Sequence, residues 1–318
     1  MSKERKSRWW LWLGGAAVGA LALVVVAVAL LARFLPNAGS YAPLGKKIGV
    51  LEIRGPIVNT EKHIEVLHAY RDDPTVAAVV LYINSPGGSA AASQELYDEV
   101  LALRKKDKKV YAYISDVGAS GAYYIACGAD KIYASPGSLV GSIGVIMTFT
   151  NVEGLFGKIG LTTKTIKTGT FKDIGSPYRA MTPEEEKLLG ATLGDVYQQF
   201  LDAVVEGRRG AVAARLRRPG EPAPTKYAVR RYVASYADGR IFSGRQARAL
   251  GFVDENGNFQ KCVNELSAAI GVKGKAAPLV RRRIKTPTVW DALSGRARVV
   301  LFGVPEPASR LELKYSLY

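Results

Sequence analysis

Ser120 lies in the run Gly118-Ala119-Ser120-Gly121-Ala122-Tyr123-Tyr124, where small residues allow a sharp turn and bring a hydroxyl to the opening of a helix. The residues before it, Lys109 to Ile114, read as a strand, and Gly121 to Gly128 read as a helix. At such an elbow the unpaired N–H groups and positive dipole end of the helix favour an oxyanion developing beside the serine. A plain N-cap is the commoner use of serine at this place. A second small-residue turn, Asn84-Ser85-Pro86-Gly87-Gly88-Ser89, also leaves a strand and enters a helix. The N–H of Gly88 could face a substrate carbonyl and pair with that of Gly121 as an oxyanion hole, although a flexible turn would require the same residues.

A serine nucleophile needs a base within hydrogen-bond reach. The chain has two histidines, His63 and His68, both on one predicted helix from Glu61 to Tyr70, which disfavours a Ser-His-Asp arrangement. Lysine is the remaining base. An exposed lysine titrates at about 10.4, and burial can lower that by about 3 to 5 units, enough to leave the amine neutral near pH 7. Lys172 stands beside Phe171 in Lys167-Thr168-Gly169-Thr170-Phe171-Lys172-Asp173, and Lys164 and Lys167 are alternatives on the same chemistry.

The elements that would position these groups alternate in type. Ile48 to Ile53, Val76 to Ile83, Val110 to Ile114, Lys131 to Ala134 and Ile143 to Met147 read as strands, with helices at Glu61 to Tyr70, Ala90 to Leu103 and Gly121 to Gly128. Apolar strands separated by helices indicate an α/β protein with a buried, largely parallel sheet. Thr182-Pro183-Glu184-Glu185 carries an N-cap, a first-turn proline and first-turn carboxylates, and opens a helix expected to run to about Val205 and to stop at Gly207. Residues 208–224 read as an exposed basic excursion, followed by a helix from Lys226 to Tyr236.

With 318 residues, 48% of them apolar, the chain can bury a large core. Two cysteines, Cys127 and Cys262, supply neither a disulfide framework nor metal-ligand spacing, and no cofactor is expected. The net charge of +16 is not accompanied by a nucleic-acid reading motif or interleaved aromatics, so nucleic acid is not an expected partner. From Trp9 to Ala32 there is no charged residue, and such a stretch is long enough to cross a bilayer core of about 30 Å. Lys3, Arg5, Lys6 and Arg8 precede it, which places the N-terminus in the cytoplasm and the remainder outside. The expected organisation is a cytoplasmic segment 1–8, a transmembrane anchor 9–34, a linker 35–47, a folded domain 48–271 and a basic, loosely held tail 272–318.

Five motifs occur in order: Asn84-Ser85-Pro86-Gly87-Gly88, Gly118-Ala119-Ser120-Gly121-Ala122-Tyr123-Tyr124, Gly141-Ser142-Ile143-Gly144-Val145, Gly169-Thr170-Phe171-Lys172-Asp173 and Asp238-Gly239-Arg240-Ile241-Phe242-Ser243-Gly244-Arg245-Gln246-Ala247. Together they resemble the bacterial signal peptide peptidase A family in its short, single-repeat form. The resemblance covers about Ile48 to Gly271 and includes the anchor. It implies a crotonase/Clp-protease-like fold of spiral ββα units, with Ser120 as nucleophile, Lys172 as general base and Gly88 and Gly121 as the oxyanion hole. Ser142 matches a serine that helps orient the lysine in the long form of the family. The resemblance further implies a ring-like homo-oligomer on the bacterial inner membrane, with extracytoplasmic active sites that cut remnant signal peptides and other membrane-associated polypeptides. Two readings of other classes stand beside it: a crotonase-like acyl-CoA enzyme, which would need no serine nucleophile, and an inactive membrane scaffold.

Overall fold

The computed structural model describes residues 45–274, 276–282 and 314–315. The segment 1–8 and the anchor expected at 9–34 lie outside these, as do linker residues 35–44. Among the described residues, no helix is long and apolar enough to cross a membrane. The described residues from Lys46 onward belong to one compact unit.

The unit is a mixed α/β structure built on a mainly parallel sheet. Strands β1 (Lys47–Arg54), β2 (Val76–Ser85) and β4 (Lys109–Ala119) form its centre, with β1 and β4 on either side of β2 and all three parallel. Their runs are almost continuously apolar because both faces are covered. One layer contains helices α1 (Glu61–Asp72), α2 (Ala90–Lys105) and α3 (Gly121–Cys127), which bury Leu67, Leu96, Val100 and Ile125 in the main core. The opposite face carries a smaller cluster in which Val50, Val80 and Tyr133 meet Val263 and Leu266 of α8 (Phe259–Ala269).

The rest of the sheet branches from β4. Its first part pairs with β5 (Lys131–Ala134), which in turn pairs with β8 (Glu255–Asn256); its last part pairs with β6 (Leu139–Gly141). Strand β6 then pairs antiparallel with β7 (Ile241–Ser243). The observed strand in this region is Leu139–Gly141 rather than the expected Ile143–Met147. Val140 fits the apolar sheet, whereas the chain leaves it at Gly141 and Ser142, both with positive φ.

Helix α5 (Pro183–Leu216) runs 34 residues, well past the expected stop at Gly207. A Cβ on Gly207 would stand 2.1 Å from the Cys127 carbonyl oxygen, so this glycine serves close packing inside the helix and not termination. The same continuation corrects the exposed excursion expected from Arg208: its side chain is 2% exposed, and its two terminal nitrogens each lie 2.8 Å from Asp254. Helices α4 (Glu153–Lys158), α6 (Lys226–Ala234) and α7 (Gly244–Leu250) complete the unit. Beyond residue 272 the chain also contributes regular structure. Strand β9 (Leu279–Arg281) extends the sheet beside β1, and β10 (Lys314–Tyr315) pairs antiparallel with β3 (Gly88–Ser89).

Candidate active site

Strand β4 delivers Ser120 to the start of α3, a seven-residue helix whose every residue is buried. Ser120 has φ 54° and ψ −124°, a conformation that costs a non-glycine residue about 1–3 kcal/mol and persists only where the surroundings impose it. Here they do. The Ser120 N–H donates to the Gly141 carbonyl over 2.7 Å, and the Tyr124 N–H returns to the Ser120 carbonyl over 2.9 Å. The side chain makes no N-cap bond, and its buried Oγ has no hydrogen-bond partner among the described residues. A buried hydroxyl that satisfies nothing in the fold is an expensive use of serine as structure, and the N-cap alternative is set aside on this observation.

The second turn approaches from β2. Gly88 has φ 159°, extended backbone, so its need for glycine comes from space: a Cβ would stand 2.1 Å from the Ile57 carbonyl oxygen. Ile57 and Gly88 form a parallel bridge, with Ile57 N–H donating to Gly87 O at 2.8 Å and Ser89 N–H to Ile57 O at 2.7 Å. The Ser85 hydroxyl accepts from the Gly87 N–H at 3.1 Å and closes the turn. Gly121 is the first residue of α3, where the amide stands outside the intrahelical ladder.

Ser142 follows directly on the carbonyl that holds the Ser120 amide. It has φ 52°, is nearly buried, and its N–H donates to Arg240 O at 2.8 Å. Beside it opens a cavity of about 770 Å³ whose lining includes Ile143, Val145, Leu193, Tyr197 and Ile241.

Lys172 makes no hydrogen bond to Ser120 within the described residues of one chain. Its side chain is exposed, on a run of turns between α4 and α5, and the Ser120 hydroxyl has no hydrogen bond from it or from any other group. Lys167, one of the alternatives, donates to the Thr170 carbonyl at 2.7 Å and to the Asp173 carboxylate. His63 and His68 lie on α1, as expected, with burial holding His63 below the ordinary imidazole range. Cys127 is enclosed in the core, and burial pushes its thiol up to about 12, so it offers no thiolate.

One group near Lys172 escaped the sequence reading. Arg179 joins two carboxylates. Its Nε and Nη2 donate to Asp173 at 2.9 and 2.8 Å, and its Nη1 donates to Glu185 at 2.8 Å. This guanidinium holds the Asp173 carboxyl well below its usual range and brings that of Glu185 down to about 2. The capping pattern from Thr182 to Glu185 located one end of this arrangement, but nothing in the spacing marked Arg179.

Comparison with known proteins bears on what the serine does. Residues 102–215 match the family Peptidase family S49. A Synechocystis protein named as a protease is 39% identical over 214 residues, 67% of this chain and 70% of that protein. A Methanocaldococcus jannaschii protein, also named as a protease, is 37% identical over 210 residues, 66% of this chain and 61% of that protein. An Enterococcus faecium protein named as a signal peptide peptidase SppA is 32% identical over 234 residues, 70% of this chain and 63% of that protein. The match thus spans between 61% and 70% of the length of these relatives. On this similarity, and with a strained, unpartnered serine at a strand-to-helix elbow, the chain belongs to peptidase family S49.

Proposed function

We propose that the chain is a membrane-anchored serine endopeptidase with a crotonase/Clp-protease-like fold, in which Ser120 is the nucleophile and Lys172 the general base. The observation that carries the nucleophile is the buried Ser120 Oγ, held at positive φ with no hydrogen-bond partner. In the reaction, neutral Lys172 takes the Ser120 proton as Oγ bonds to the carbonyl carbon of the scissile peptide. The oxyanion sits between the Gly88 and Gly121 amides, and the lysine ammonium gives its proton to the leaving amine as the C–N bond breaks. Water, deprotonated by the same lysine, then cleaves the acyl-serine ester. Ser142 is assigned the role of orienting the lysine.

Exposed Lys172 and unpartnered Ser120 in one chain are reconciled by assembly, with the base supplied to a neighbouring subunit. The side chains around Lys172 suit such an interface: Leu155, Ile159, Leu161, Phe171 and Tyr178 are exposed, and Ile166 is 90% exposed. Geometry along α5 agrees. Gly194 lines the cavity that Ser142 also lines, while Glu185, to which the Lys172 segment is tied through Arg179, lies nine residues, or about 14 Å, further along the helix.

The substrates assigned are remnant signal peptides and other membrane-associated polypeptides. Two features support extended, apolar chains. The cavity beside Ser142 is lined mainly by apolar groups, and the Gly88–Ser89 edge already pairs with an extended segment of polypeptide at Lys314–Tyr315. The proposed location is the bacterial inner membrane, anchored through residues 9–34, with the peptidase domain outside the cytoplasm.

The test is turnover of an apolar peptide by the Lys172→Ala protein. The fold is expected to be retained while kcat/KM falls by about three orders of magnitude or more. Unchanged turnover would remove lysine from the reaction.

A further inference from the structure

The segment that carries Lys172 has little regular structure to hold it. Residues 161–172 are exposed and contain neither helix nor strand, and local bonds such as Ile174 N–H to Phe171 O at 3.1 Å only shape the turns. Asp173 is the exception. Its side chain is largely enclosed, and it accepts two charge-assisted hydrogen bonds from Arg179 and one from Lys167. Arg179 in turn grips both oxygens of Glu185, a buried residue at the third position of α5. Glu185 closes a reciprocal capping box: its Oε2 accepts the Thr182 N–H at 2.9 Å, and its own N–H donates to the Thr182 hydroxyl at 3.2 Å. An unbroken series of hydrogen bonds therefore leads from the first turn of a 34-residue helix to the residue adjoining Lys172.

We propose that Arg179 is a positioning residue for the general base: by clamping Asp173 to the start of α5, it fixes the backbone from which Lys172 extends. The proposal rests on the reading of Lys172 as the base. A solvated surface ion pair would contribute little, because two mobile side chains gain small Coulomb energy in water. This one differs. Arg179 reaches two carboxylates at once, and the Glu185 side chain is only 3% exposed. The planar guanidinium makes this possible, since its donors diverge in one rigid fork, whereas a lysine ammonium is a point charge that could hold one carboxylate well but not both. A second contact points the same way: Phe149 packs against Gly175, two residues past Asp173, so closely that a Cβ there would stand 2.5 Å from its ring.

Arg179→Ala is expected to lower kcat about 10- to 100-fold with KM within about twofold, because a displaced base slows chemistry without removing the peptide-binding surface. Arg179→Lys should recover less than about a tenth of the loss. Added to Lys172→Ala, the Arg179 substitution should change the residual rate by less than about twofold, since it acts through a group already absent. Amide hydrogen exchange in the full-length protein gives a readout independent of turnover: Arg179→Ala should speed exchange across residues 170–176 and leave α3 unchanged. Parental kcat in Arg179→Ala, a further tenfold loss in the Lys172→Ala background, or unchanged exchange at 170–176 would each overturn the positioning role. Parental turnover in Lys172→Ala would instead remove the base assignment beneath it, which separates the two failures.

Discussion

The backbone N–H of Ser120 and the carbonyl of Gly141 meet at 2.7 Å, and this bond ties the elbow to the end of β6. It gives the amide a buried partner in the strained conformation at φ 54° and so helps hold the serine there. Gly141 itself is at φ 101°, and a Cβ there would stand 2.9 Å from the Phe242 ring and 3.2 Å from the Arg240 carbonyl. Gly141→Ala is therefore expected to cost about 1–3 kcal/mol of stability through backbone strain alone. Peptidase activity should fall with it by at least tenfold. Urea denaturation and peptide turnover check the two effects, and a variant as active and stable as the parent would mean that this bond does not hold Ser120 in place.

If Lys172 serves the Ser120 of another subunit, two inactive proteins should rescue each other. Mixing Ser120→Ala with Lys172→Ala chains, then dissociating and reassembling them, should restore about a quarter of the parental activity per site, the share of interfaces that pair an intact serine with an intact lysine. Each protein taken through the same procedure alone should remain inactive. A mixture without activity would require both groups to come from one chain.

Acid should loosen the Lys172 segment in a defined window. The Glu185 carboxyl is brought from its ordinary 4.5 to about 2, first by its hydrogen bonds to Arg179 and next by that from the Thr182 N–H. A depressed carboxyl stabilises the folded state fully above its unfolded value, and that contribution is lost as pH falls through the folded value. Asp173 is lowered by the same guanidinium and by Lys167, so it acts in the same direction. Hydrogen exchange over residues 167–187 should therefore be flat from pH 7 to about 5, once corrected for intrinsic rates, and rise toward pH 2. Protection that held constant to pH 2 would contradict the clasp.

Arg208 is the test case for the core. It is 2% exposed, paired with both oxygens of Asp254 and bonded through Nε to the Gly251 carbonyl at 3.1 Å. Asp254 is also bonded to the Ile132 N–H at 2.7 Å, so α5, β5 and the turn after α7 meet at one ion pair. Arg208→Ala removes a buried guanidinium and leaves the partly buried Asp254 carboxylate, 23% exposed, without its cation, and should cost about 3 kcal/mol. A lower denaturation midpoint with an unchanged slope would show this, and a loss below about 1 kcal/mol would mean that water replaces the guanidinium.

The alternation of apolar strands with helices made the sheet centre legible, and Ser120 and Gly88 could be located because small-residue turns between a strand and a helix leave few conformations open. Helix α5 was harder. Gly207 and the basic run after it read as a stop followed by exposed chain, since spacing cannot distinguish a glycine that ends a helix from one that lets another backbone come close. Arg208 reads as solvated in the sequence because its partner, Asp254, lies 46 residues away and only the fold joins them. Arg179 was silent for a similar reason: a guanidinium that spans two carboxylates looks, in a list of residues, like any other surface cation.

Contact between Gly207 and Cys127 does more than lengthen α5. The far end of that helix packs against the last residue of α3, which Ser120 precedes, while its near end grips the segment that carries Lys172. If Ser120 and Lys172 act as proposed, the mounts of both groups within one subunit rest on the same helix. In the ring proposed above, with Ser120 and Lys172 in their proposed roles, the length of α5 would set the span between the serine a subunit presents to one neighbour and the amine it presents to the next.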